Sequence, residues 1–202
     1  MPREKLKRLC ALKEDCRAFF KQIYKDEEKV LVFGEGPADA EIMLVGEAPG
    51  EQEIVEGRPF VGQAGKYLDE LLKALGLKRE QLYMTYAVKF RPYKANPDTG
   101  KKINRAPNQE EIALSKGWLN KEIQIIMPSV VIGLGNVPLK ALYTDKKLTI
   151  GEAHGSPLEF QVGESGLSFI LFPLYHPANI HKKGLEETYL KDLKKLKEYL
   201  GK

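Results

Sequence analysis

Three short segments hold the residue types that chemistry needs. Glu47 lies in Gly46-Glu47-Ala48-Pro49-Gly50-Glu51-Gln52-Glu53, directly after the apolar run Ile42-Met43-Leu44-Val45. Carboxylates and flexible backbone thus fall at the carboxyl end of a strand, where open α/β sheets bind ligands. The same spacing fits a plain turn whose acids face solvent. Phe60 follows in Gly57-Arg58-Pro59-Phe60-Val61-Gly62. An aromatic among turn residues can stack a base, and it can equally plug the local core. His176 stands in Tyr175-His176-Pro177-Ala178-Asn179-Ile180-His181 after the last apolar run. A neutral imidazole there can donate to a carbonyl that gains negative charge, or it can simply cap the strand end. Basic residues gather close by: Lys89, Arg91, Lys94, Lys101, Lys102 and Arg105 after one strand, Lys182 and Lys183 after another. They read as a phosphate track or as ordinary solvating charges. The later cluster Lys191, Lys194, Lys195 and Lys197 reads as a wet helix face.

These segments need a scaffold that brings strand ends to one edge. Apolar runs at residues 30–33, 41–45, 82–88, 130–134 and 169–174 read as strands, the later ones buried on both faces. Helical spacing marks residues 64–75, 108–126 and 187–200, and an amphipathic helix is expected over 3–24. Strands alternating with helices predict a three-layer α/β/α arrangement around a central, mostly parallel sheet. Residues 91–107, with three prolines and several lysines, read as a long exposed basic loop, and residues 151–166 as a turn-rich hairpin or loop.

The chain has 202 residues, 43% hydrophobic, enough for one domain spanning 1–202. Its 32 Lys plus Arg against 28 Asp plus Glu leave a charge of +4, which permits a polyanionic partner without demanding one. Two cysteines, Cys10 and Cys16, are too few for a disulfide framework and fit a reducing cytoplasm. The charged first segment has no signal-peptide core and no run reaches membrane-spanning length, so a protein with no membrane partner is expected. There is no Gly-x-x-x-x-Gly-Lys-Ser/Thr loop, no Gly-x-Gly-x-x-Gly and no His-Glu-x-x-His, which leaves a nucleotide-binding or hydrolase reading without support.

The order Gly-Glu-Ala-Pro-Gly, Gly-Arg-Pro-Phe-Val-Gly-Gln-Ala-Gly, Arg-Ala-Pro, Leu-Gly and His-Pro-Ala resembles the family 4 uracil-DNA glycosylases over about residues 30 to 200. The resemblance implies a monofunctional glycosylase that flips uracil out of DNA and hydrolyses its N-glycosidic bond, leaving an abasic site for base excision repair. It implies that uracil stacks on Phe60 and is held by the backbone from Gly46 to Ala48. Glu47 would position the attacking water or stabilise the cationic sugar, and His176 would bond the oxygen of the departing base. By the same resemblance Asn179, His181, Lys182 and Lys183 look like part of the loop that enters DNA, while Lys89, Arg91 and Arg105 are expected DNA contacts from their charge and position alone.

Two departures stand out. Relatives typically hold a four-iron cluster on four cysteines, two near the N-terminus, one after the Val-Lys pair and one in the next helix. Phe90 and Ser115 occupy the last two places here, and Cys10 and Cys16 alone cannot supply four ligands, so neither metal nor cofactor is expected. Relatives also place an Asn where this chain has Tyr86, which changes the group that reads the pyrimidine edge. Tyr86 therefore counts as a substrate-binding residue. The departure leaves open that Tyr86 reads a different damaged base, bonds uracil through another geometry, closes the pocket or is a plain core tyrosine, and a non-catalytic relative that binds DNA or uracil remains a further alternative. A monomer is expected.

Overall fold

Alternation within the short apolar runs decides the architecture. In the computed structural model, which describes residues 2–145, 147–162, 166–179 and 184–201, helix α1 (Pro2–Ile23) leads into β1 (Ile42–Gly46). There follow α2 (Glu51–Glu56), α3 (Gln63–Leu75), β2 (Leu82–Tyr86), β3 (Tyr93–Ala95), β4 (Lys102–Asn104) and α4 (Gln109–Ile126). The chain continues through β5 (Val130–Leu134), α5 (Asn136–Leu142), α6 (Ile150–Ala153), β6 (Leu158–Val162), β7 (Leu167–Leu174) and α7 (Glu186–Tyr199). The main sheet has the order β2-β1-β5-β7-β6, parallel except for the antiparallel edge strand β6.

Both faces are covered, as the strand composition requires. Ile42, Leu44, Leu82, Met84, Val130, Ile132 and Phe172 meet Leu68, Leu71 and Leu72 of α3 and Leu193 and Leu196 of α7. The alternate residues Met43, Val45, Tyr83, Val131 and Leu171 meet Leu9 and Leu12 of α1, Leu119 and Ile123 of α4, and Leu139 and Leu142 of α5. This is the expected three-layer α/β/α fold. Among the described residues no helix is long and apolar enough to cross a membrane.

Two sequence expectations are corrected. Residues 30–33 do not form a strand; Leu31 makes only an isolated bridge to Phe90. Residues 91–107 are not simply a loop, because Tyr93–Ala95 and Lys102–Asn104 pair antiparallel, with Tyr93 opposite Asn104 and Ala95 opposite Lys102. The turn between them is tied by Asn96, whose Oδ1 accepts from the backbone of Asp98 at 2.9 Å and Thr99 at 3.2 Å. Residues 151–166 hold the end of α6 and then β6, the first strand of the hairpin expected there, which pairs antiparallel with β7 and forms the edge of the sheet.

Residues at the place where the resemblance puts a cluster do not fit one. Cys16, Phe20, Phe33, Val88 and Phe90 form a buried apolar group against α4. The Phe90 ring meets Phe20 at 5.4 Å and Tyr24 at 5.5 Å, both edge-on. Burial pushes the Cys16 thiol up to about 12, whereas cluster ligands are thiolates. Ser115 is buried, and among the described residues no three His, Cys, Asp or Glu side chains gather to hold a metal.

Candidate active site

The parallel order of β1, β2, β5 and β7 brings Gly46, Tyr86, Leu134 and Leu174 to one edge, and the chain leaves each strand there. Beyond β1 the pairing runs on, since the N–H groups of Ala87 and Val88 donate to the carbonyls of Gly46 and Glu47 at 2.9 and 3.0 Å. Glu47 is thereby fixed at the mouth of a cleft of about 560 Å³. The cleft is lined by Glu47, Ala48, Glu53, Phe60, Tyr86, Asn104, Arg105 and His176 among others. Four segments far apart in sequence thus supply one site.

Gly46 lies beneath two aromatic rings. A Cβ there would sit 2.8 Å from Phe60 Cζ and 2.9 Å from the Tyr86 ring, so only glycine lets both rings close on the strand end. The two rings stack at 4.7 Å with 29° between their planes. The Phe60 N–H donates to the Tyr86 hydroxyl at 2.8 Å. Phe60 itself adopts φ of 56°, a left-handed conformation that costs a bulky residue about 1–3 kcal/mol and persists only where neighbours enforce it. Burial, and then the charge of Glu53, hold the Tyr86 phenol protonated far above its usual range. Tyr86 is accordingly a buried member of the site, 3% exposed, and covers the ring that a base would stack on.

The two groups suited to charge work are only partly wet. Burial raises the Glu47 carboxyl above the usual 4.5. Among the described residues no group pairs with its oxygens, and Glu47 lines the cleft. His176 is pushed below 6.5 by burial and is a neutral imidazole at neutral pH. The Ala178 N–H donates to His176 Nδ1 at 3.3 Å, so in the neutral ring the proton belongs on Nε2. The site therefore holds an unpaired carboxylate at Glu47 and a neutral N–H donor at His176, groups suited to stabilising a cationic carbon and an anionic leaving group respectively.

The basic residues divide. Lys89, expected on a phosphate track, is 1% exposed and inaccessible to DNA. Its ammonium pairs with the Glu122 carboxylate of α4 and donates to Thr85 Oγ1 at 2.7 Å and to the Tyr86 carbonyl at 2.8 Å. It is a buried strut under the site. Arg91 is 8% exposed and is likewise committed, to Asn104 Oδ1 at 2.6 Å, the Lys102 carbonyl at 3.0 Å and Glu51 at 3.3 Å. Arg105 does line the cleft, though both its terminal nitrogens are held by Glu111 at 2.7 Å. Asn179 ends the short turn Pro177–Asn179 beside the site, and His181, Lys182 and Lys183 lie outside the described residues.

Sequence reasoning missed two lining residues. Asn104 lies within a stretch read as loop; with its Oδ1 held by Arg91, its amide nitrogen remains as a donor beside Gly50. Glu53 is 4% exposed and accepts from the Gly50 N–H at 3.0 Å and the Gly62 N–H at 2.7 Å. The only signal for Glu53 was its place three residues after Gly50, the spacing of a helix-capping acid.

A family model described as the uracil DNA glycosylase superfamily matches residues 33–200. The type-4 uracil-DNA glycosylase of Sulfurisphaera tokodaii is 39% identical over 170 residues, covering 82% of this chain and 72% of that protein. That of Thermotoga maritima is 37% identical over 175 residues, covering 85% and 84%. That of Saccharolobus solfataricus is 37% identical over 178 residues, covering 86% and 77%.

Proposed function

The chain belongs to the uracil DNA glycosylase superfamily, and from that premise we propose that it is a monofunctional uracil-DNA glycosylase of base excision repair, acting as a one-domain monomer in the cytoplasm. The observation that supports this best is the convergence of Glu47, Phe60, Tyr86 and His176 on one cleft at the carboxyl edge of the sheet.

The chemistry follows from the groups present. A deoxyuridine turned out of the DNA enters the cleft, at a cost of a few kcal/mol that stacking and edge hydrogen bonds offset. The bond from C1′ to N1 breaks with its electron pair leaving on uracil. His176 Nε2–H donates to the uracil oxygen on which that charge collects, and the Glu47 carboxylate stabilises the positive sugar. Water adds its oxygen to C1′ and gives up a proton, which by way of solvent neutralises the departing uracil anion, and the abasic strand stays intact. Free uracil in the supernatant of a labelled oligonucleotide, detected by chromatography without strand scission, tests this; phosphodiester cleavage without base release contradicts it.

With Lys89 and Arg91 occupied internally, the DNA backbone falls to other cations. Lys94, Lys101 and Lys102 are exposed on the β3–β4 hairpin, whose flanks Pro92, Asn104 and Arg105 line the cleft. Replacing all three by Ala is expected to reduce the slope of log affinity against log salt by roughly 2 to 3, close to 0.9 for each phosphate no longer neutralised. An unchanged slope in fluorescence-anisotropy titrations would remove the hairpin from the DNA face.

The stacked Phe60–Tyr86 pair favours a second reading, in which the enzyme excises a different damaged base because Tyr86 restricts the uracil seat. On that reading Tyr86→Asn uncovers the Phe60 face and presents an amide to the pyrimidine edge. It is expected to raise kcat/KM on uracil by about tenfold, the worth of one good hydrogen bond of about 1.4 kcal/mol. A fall instead would place the phenol in the uracil site as it stands.

A further inference from the structure

Glu53 plays no part in the chemistry above, yet it is a buried carboxylate with no cation beside it among the described residues. Its two oxygens serve two different loops. Oε2 takes the N–H of Gly50, at the end of the turn that carries Glu47 and Ala48, and Oε1 takes the N–H of Gly62, two residues beyond Phe60. The fit is close on both sides. A Cβ at Gly50 would meet Oε2 at 2.8 Å, and one at Gly62 would meet Oε1 at 2.9 Å.

The Phe60 turn needs such a tie. Its left-handed residue is held before the ring by the Tyr86 hydroxyl and after it by Glu53, while α3 packs on its carbonyl so closely that a Cβ at Gly65 would stand 1.9 Å from that oxygen. One carboxylate therefore spans the wall that bears the carboxylate Glu47 and the wall that bears the stacking ring.

We propose that Glu53 is a positioning residue that sets the gap between the Gly46–Gly50 turn and the Phe60 turn, and so the seat in which the extruded base is held for attack. The inference rests on the glycosylase reading. Glu53 touches neither base nor sugar. It acts through two backbone N–H groups, and its removal affects base-dependent steps while sparing contacts to the DNA backbone.

Two variants approach the tie from opposite sides. Glu53→Gln keeps one acceptor oxygen and turns an NH₂ toward the other donor. Gly62→Ala keeps the carboxylate and crowds it, along with Gln52 Oε1 at 2.8 Å, at a residue whose φ of −86° any side chain tolerates. Each is expected to slow single-turnover release of uracil by about 10- to 100-fold, the usual consequence of a misplacement near 1 Å. The double variant is expected to be no slower than the worse single one, because both break the same tie. Affinity for an oligonucleotide carrying an abasic site, which puts no base in the seat, should stay within about twofold, and thermal unfolding read alongside identifies a variant that has lost its fold. Wild type that releases uracil, with folded variants releasing it equally fast, overturns the inference. So do additive losses, or abasic affinity falling in step with turnover, since either marks general damage. Wild type that releases no uracil fails the glycosylase reading itself and takes this inference with it.

Discussion

Glu47→Gln should lower single-turnover uracil release by roughly a hundred- to a thousandfold, about 2.7–4 kcal/mol of lost transition-state stabilisation. The amide is nearly the same shape but carries no charge, and the transition state places a cation next to it. Nothing among the described residues shares the work, because no other group pairs with the Glu47 oxygens. The pH profile gives an independent check. Burial raises this carboxyl, so the working anion is lost as pH falls through a value above 4.5. Wild-type rate is therefore expected to rise with pH across that acid limb and level off toward neutrality. His176 does not set the limb, since its pKa is lowered below 6.5 and its protonated form would donate at least as well. Glu47→Gln should flatten the limb as well as lower the plateau. A Gln variant with wild-type rate, or one that keeps the acid limb, would show that the charge of Glu47 is not used.

On the proposed mechanism His176→Ala removes the imidazole donor to the leaving base and should cost on the order of a hundredfold or more in the same assay. The loss has a signature that a packing defect lacks. A base that leaves more readily needs less help, so substrates carrying 5-fluorouracil, whose anion is better stabilised, should narrow the gap between wild type and His176→Ala. An equal penalty on both substrates would assign His176 to holding the loop rather than to the departing charge. The neutral state matters here: a buried imidazole already carrying its proton on Nε2 presents the donor without first charging the site.

The fold was legible because two-faced burial leaves a mark in the strands themselves. Ile132 and Val131 point to opposite helix layers and are both fully buried, so β5 reads as a continuous apolar run with unmistakable limits. The run at 30–33 is equally apolar but contributes only one bridge, at Leu31, and nothing local distinguishes that from a strand. The candidate site was legible where a residue type and a strand end coincide, as at Glu47 and His176. It was illegible where the partner lies far along the chain. Lys89 looks like a DNA contact until Glu122 arrives from α4 beneath it, and Arg91 until Asn104 and Glu51 close around it. The Phe60–Tyr86 stack joins rings 26 residues apart, and the tie made by Glu53 depends on where Gly62 comes to lie. Such pairings are set by topology, and no local spacing encodes them.

The Tyr86 stack also bears on which base the cleft admits. Both rings are nearly fully buried, so any base that reaches the Phe60 face must do so with the phenol in contact or moved aside. The identity of that base decides the matter directly. Oligonucleotides carrying one uracil, opposite guanine, opposite adenine and unpaired, are incubated with wild type and with Glu47→Gln and then treated with alkali, which breaks abasic strands. The account predicts alkali-dependent breaks at the uracil for wild type and very few for the variant, whereas intact uracil strands throughout would contradict it.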